Sequence, residues 1–186
     1  MFKSTLRAGL PLALLAAFTF SSTAFAENPM VGGAAMYEKM NIVENAMNSK
    51  DHTTLVAAVK AAGLVDTLMS DGPFTVFAPV NAGFDALPAG TVENLLKPEN
   101  KAMLVKILTA HVVSGSVTSK DLWEWAEKNG GKYDLTTVSG DTLTVMIKGK
   151  ELWLWDENGN ASLITIADVM QSNGVIHVVD KVLLPK

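Results

Sequence analysis

The 186-residue sequence contains no cysteine. That excludes a disulfide framework, a thiol nucleophile and a zinc knuckle. It also argues against a lipid anchor, since a bacterial lipoprotein needs a cysteine at its cleavage site. Arginine is almost as scarce, with Arg7 the only one. Arginine reads phosphate and guanine through paired hydrogen bonds, so its scarcity and the net charge of −4 argue against nucleic acid as a partner. The chain has one long apolar run, AGLPLALLAAFTF near the N-terminus, too short and too poorly flanked for a membrane span. HExxH, GxSxG, a glycine-rich phosphate loop and a paired-carboxylate motif are all missing. The expectation is a protein that is not an enzyme.

The apolar run follows Lys3 and Arg7 and precedes SSTAFA, with Ala24 and Ala26 at the small-residue positions of a cleavage site. Residues 1–26 read as a signal peptide cut after Ala26, leaving 160 of the 186 residues and moving the net charge to −6. The product is expected in the periplasm or outside the cell, with no membrane insertion. One domain of ordinary size has room for a full core.

Residues 27–40 carry Pro29 and the pair Gly32-Gly33, and read as an irregular arm. Ile42, Val43, Ala46 and Met47 fall at helical spacing. Asp51, Thr53 or Thr54 is expected to cap a second helix that Gly63 ends. FTVFAPVNAGF at 74–84 begins as a strand, which Pro79 stops because it lacks a backbone N–H. Asn81 is expected to cap the helix that follows. Thr91 and Ser119 are expected to cap two more helices and Pro98 to sit in the first turn of another, which carries Met103, Leu104, Ile107 and Leu108 as its stripe. After Gly130-Gly131 the pattern changes to short β-branched strands, with DENG at 156–159 as a hairpin turn. Helices early and strands late give an α+β class.

Several of these segments resemble the fasciclin (FAS1) domain family. FTVFAPVNAGFDALP resembles its first signature segment and SNGVIHVVDKVLLP, at 172–185, its second. ILTAHVVSG resembles the central segment, and NIVENAMNSKDHTTLVAAVKAAGLVDTL the opening helices, so the resemblance spans residues 41–185. It implies a β-sandwich or wedge with helices packed along one side. It also implies a secreted, non-enzymatic protein that mediates adhesion or binds a cell-surface protein or polysaccharide. The family usually has Tyr before the central His, where this chain has Ala110, which weakens transfer of that pair's adhesive role to His111.

Three residues stand out as binding candidates. Trp153 and Trp155 lie in a strand, where a spacing of two aligns both indoles on one face. Such a pair stacks on a sugar or grips a partner; the competing reading is an aromatic core layer. His111 ends a helix and reads first as a partly buried residue bonded to the backbone, with a recognition or metal-binding role as the alternative. Trp123 and Trp125 have the same spacing in a helix, which sends them to different sides. His52 is expected to be exposed, and His177 and Asp180 to sit on opposite strand faces. No cofactor and no metal site are expected. The alternative function is a soft-metal (copper) or small-ligand carrier, suggested by eight methionines after residue 26 and by Met36 and Met40, one helical turn apart. Methionine more often fills gaps in a core.

Overall fold

The computed structural model describes residues 28–186, so the signal peptide and its cleavage site lie outside the described residues. Phe74–Pro79 forms a strand with every residue after the first buried, as a continuous apolar run predicts. It pairs in parallel with Gly174–Val179, in register from Phe74 opposite Gly174 to Pro79 opposite Val179. The two central strands are therefore neighbours, as their composition predicts. A Cβ at position 174 would collide with the Phe74 carbonyl oxygen, so the ladder closes at that end only with glycine.

In chain order the strands are β1 (Met30–Val31), β2 (Ala34–Ala35), β3 (Phe74–Pro79), β4 (Val112–Ser114), β5 (Lys132–Thr136), β6 (Thr142–Lys148), β7 (Glu151–Trp155), β8 (Ala161–Gln171) and β9 (Gly174–Val179). The helices are α1 (Ile42–Asn48), α2 (Thr53–Ala62), α3 (Val65–Met69), α4 (Asn81–Asp85), α5 (Thr91–Leu95), α6 (Lys101–Thr109) and α7 (Ser119–Lys128). Seven strands make one mixed sheet in the order β4-β3-β9-β8-β7-β6-β5. The expected α+β wedge is thus built from a single continuous sheet. Just past β5, the Val138 N–H donates to the Val112 carbonyl on β4 at 2.8 Å, so the sheet curls until its two ends meet.

Two cores lie on opposite faces of this sheet. Outside the curl, α1–α6 pack on Val76, Ala78, Ile176 and Val178. Inside it, Phe77 and Val179 meet Leu122 and Ala126 of α7 and the inward residues Leu135, Leu143, Val145 and Leu154. The alternation along β3 and β9 feeds both cores at once.

Several local expectations are corrected. Within the expected irregular arm, β1 and β2 form a small hairpin whose turn residues, Gly32 and Gly33, have φ of 59° and 77°, the signature of a type I′ turn. Helix α7 is capped by Thr118, in a capping box with Asp121, and Ser119 is its first residue. Gly90, not Thr91, precedes α5. The largest departure is Asn81, which does not cap its own helix α4. Its Oδ1 accepts the Thr54 N–H at 3.0 Å and the Thr53 hydroxyl at 3.2 Å, and its Nδ2 donates to the Lys50 carbonyl at 2.8 Å. Asn81 caps α2 from across the molecule, and none of Asp51, Thr53 and Thr54 does so.

Two substitutions test this architecture. Ile176→Ala should cost about 2–5 kcal/mol as a large-to-small change at a 5% exposed site; a loss under about 0.5 kcal/mol in denaturant unfolding would remove Ile176 from the core. Asn81→Ala should cost about 1–2 kcal/mol, the scale of a lost cap, and speed hydrogen exchange at the Thr54 amide. Unchanged exchange there would refute the distant cap.

Candidate functional site

Strand β7 has to fill the inner core with Leu152 and Leu154, both buried. Strand alternation then sends Glu151, Trp153 and Trp155 to the outer face. Both indoles are half-buried there and belong to neither core, so the pair is not a core layer. Their neighbours across the ladder are Met146 and Leu163 for Trp153, and Thr144 and Ala161 for Trp155. Lys148, opposite Glu151, lays its ammonium 5.0 Å from the Trp153 ring centroid and 4.6 Å from that of Trp155, within cation–π range of both. The Trp153 Nε1–H donates to Glu151 Oε2 at 3.0 Å. The Trp155 Nε1–H is buried without a partner, at a cost of about 1–3 kcal/mol. On β5, Asp134 accepts the Thr144 hydroxyl at 2.7 Å.

The DENG turn sits at the end of β7 as expected. Asp156 Oδ1 accepts the N–H groups of Asn158 and Asn160, and Oδ2 accepts that of Leu184. The turn is thereby fixed to the C-terminal segment. An open groove of roughly 840 Å³ runs between α7 and strands β7 and β8, with Trp123, Lys120, Lys150 and Glu151 on its walls. Leu163, the cross-strand partner of Trp153, lines it too, whereas neither Trp153 nor Trp155 does. Trp125 points elsewhere and packs on Tyr133 at 5.2 Å between centroids. The groove and Lys148 were not legible as site features, although β6 alternation does place Lys148 on the tryptophan face.

His111 is not part of this surface. It is buried, its Nδ1–H donates to the Ile107 carbonyl at 2.8 Å, and its Nε2 accepts the Leu183 N–H at 3.0 Å. The ring satisfies a helix-end carbonyl and ties α6 to the C-terminal segment. His52 is buried rather than exposed, between the Ser49 hydroxyl at 2.9 Å and the Ala78 carbonyl at 3.4 Å. His177 stacks on Phe77, donates from Nε2 to the Val117 carbonyl at 2.8 Å and accepts the Asp168 N–H at Nδ1 at 3.3 Å. Asp168, at φ 57°, turns its carboxylate to Ser119 instead, accepting that residue's N–H at 2.6 Å and its hydroxyl. The three do not form a relay, because the carboxylate does not face the imidazole. Asp180 is also turned away from His177 and binds the Ser162 hydroxyl and the Leu163 N–H, each at 2.8 Å. Met36 is buried in the outer core, and Met36 and Met40 do not share a helix. Among the described residues, no group of three or more His, Cys, Asp or Glu is placed to hold a metal ion.

The fasciclin-domain family model matches residues 50–185. The chain belongs to the fasciclin family. It is 48% identical over 159 residues to protein sll1483 of Synechocystis, covering 86% of this chain and 81% of that one. It is 33% identical over 166 residues to the cell surface glycolipoprotein MPB83 of Mycobacterium bovis, covering 86% of this chain and 68% of that one. Among solved structures, it superposes on a FAS1 domain pair from the insect cell adhesion molecule fasciclin I with a TM-score of 0.68, covering 76% of this chain and 50% of that one. At 19% identity that likeness concerns the fold alone.

Burial pushes the pKa of His52, His111 and His177 below the ordinary 6.5, against the pull of a backbone carbonyl and a nearby aspartate on each. The folded rings stay neutral while the unfolded chain takes up protons below pH 6.5, so stability rises with pH. The contribution is complete above the unfolded value and is lost as pH falls from there toward the lowered folded values. Denaturant unfolding should show a positive slope of stability against pH in this window; a flat or negative slope contradicts it. His111→Ala should destabilise at neutral pH, since each buried backbone group left unpaired costs about 1–3 kcal/mol.

Proposed function

We propose that this fasciclin-family protein is a secreted, non-enzymatic adhesion module. It acts in the periplasm or outside the cell, and binds a cell-surface protein or polysaccharide through the Trp153–Trp155 face. The observation that carries the reading is the placement of two indoles outside both cores, side by side on an uncovered sheet face. Partly exposed aromatic area of this kind is costly in water and marks contact sites. The pair offers flat apolar surface, while Glu151, Lys148 and Asp134 supply hydrogen-bonding groups around it, a mixture suited to a sugar ring or a protein edge. A relative named as a cell surface glycolipoprotein supports the same reading.

The test is the double substitution Trp153→Ala/Trp155→Ala in the secreted protein, assayed against cell-envelope extract and by thermal melting. Retention of envelope components should fall. Stability should drop by much less than the about 3–5 kcal/mol per residue expected of core aromatics. Undiminished retention, or a collapse in melting temperature on the core scale, would sink the contact-face reading.

A further inference from the structure

A second concave feature lies away from the tryptophans. Helices α1, α2 and α3 do not close completely over β3 and β4, and leave a cleft of about 70 Å³ between them. Ile42, Leu55, Val59, Val65, Phe74 and Val76 supply much of its wall. Its mouth is open: Val65 and Phe74 are only partly buried, and Val138 at the rim is 47% exposed. A water inside would find almost nothing to bond to. Thr109 already donates its hydroxyl to the Val105 carbonyl, and both ring nitrogens of His111 are engaged. A buried water needs about two to four polar partners, so the cleft favours an apolar occupant.

The charge at the mouth narrows the choice. Lys60, exposed in the last turn of α2, lines the cleft, and no carboxylate does. Among the described residues Lys60 takes part in no ion pair. A dry apolar throat with one free ammonium in its lining and no carboxylate is complementary to one ligand chemistry. We propose that this cleft binds a single-chain amphiphilic carboxylate, its slender alkyl tail between the helices and β3 and its carboxylate at Lys60. The site is separate from the Trp153–Trp155 face, so the proposal stands or falls independently of the adhesive reading.

The probes are decanoate, decanol and decyltrimethylammonium, each below its critical micelle concentration, added to the secreted protein. Methyl NMR reads Ile42, Leu55, Val59 and Val65 in the cleft against Leu135, Leu143 and Val145 in the inner core. Decanoate should give saturable shifts confined to the cleft methyls. Decanol should bind about fivefold more weakly, the scale of one exposed ion pair, and decyltrimethylammonium more weakly still. Lys60→Gln, an exposed change, should bring decanoate down to the level of decanol. Ala46→Leu, which adds bulk to the cleft wall, should abolish binding of both while the inner-core methyl spectrum is retained. Shifts that do not saturate, or that spread evenly over both cores, would overturn the site. Equal affinity for decanoate and the cationic probe, or an unchanged decanoate affinity in Lys60→Gln, would overturn the carboxylate assignment. Neither result depends on the Ala46→Leu variant folding.

Discussion

The parallel ladder between β3 and β9 is the constraint on which the rest of the molecule depends. Its two strands come from opposite ends of the domain, and both are buried on both faces. Val76, Ala78, Ile176 and Val178 face the helices, while Phe77, His177 and Val179 face the interior of the curl. A slip of one residue would exchange the two sets and ruin both cores together. The ladder also explains why an imidazole sits in so apolar a position. His177 faces Phe77 across it and uses both ring nitrogens to hold the Val117 and Asp168 backbone. A buried polar ring is tolerated because each nitrogen has a partner.

Buried polar side chains repeatedly join segments that are distant in sequence. Asn173, in the turn before β9, accepts the first N–H of α1 and donates to the carbonyls of Leu68 and Ser70 around the end of α3. Asn45 fixes the chain at Tyr37 through both its amide oxygen and its nitrogen. Asn81 holds the start of α2, and His111 and Asp156 hold the C-terminal segment at Leu183 and Leu184. All seven helices α1–α7 have ten residues or fewer, too short to be stable alone. Their free ends need partners, and these side chains supply them from elsewhere in the fold. The arrangement is direction-specific in a way that apolar packing is not.

The same fact decides what the sequence reveals. Continuous apolar runs make β3 and β9 legible, and helical spacing places Leu104, Ile107 and Leu108 of α6 in the core, although Met103, expected in the same stripe, is 59% exposed. The parity of Trp153 and Trp155 is legible because Leu152 and Leu154 had to take the inner face. Caps are less legible. Asn81 stands at a helix start and has a capping side chain, yet its oxygen reaches back to Thr54, a contact local rules cannot anticipate. His52 is polar, follows a lysine and an aspartate, and reads as exposed; burial follows from the approach of Ala78 at the end of β3. Gly32-Gly33 reads as loop chemistry, and only the backbone shows that it is the turn of a hairpin. The apolar cleft is invisible in sequence, because a helix face that packs imperfectly has the same composition as one that packs well.

The position of the tryptophan face follows from the shape of the sheet. The helix-side core includes residues of β3, β8 and β9 but none of β5, β6 or β7. Register shifts in β8 between Ile164 and Ile166, and again before Val169, change which side chains point outward. Ile164 therefore packs inside the curl, whereas Ile166 and Val169 pack beneath the helices. The outer face of one continuous sheet thus runs out from under the helical layer and is open to solvent over β6 and β7. A sheet of this length has more outer face than six short helices can cover. On the uncovered part an ordinary antiparallel strand would carry polar residues. Thr144, Lys148 and Glu151 follow that rule, and the two indoles depart from it together with their neighbours Met146 and Leu163. The departure is not required by the inner core, which is satisfied by Leu152 and Leu154 whatever occupies positions 153 and 155. What folding leaves unexplained at those two positions is what a contact surface would require.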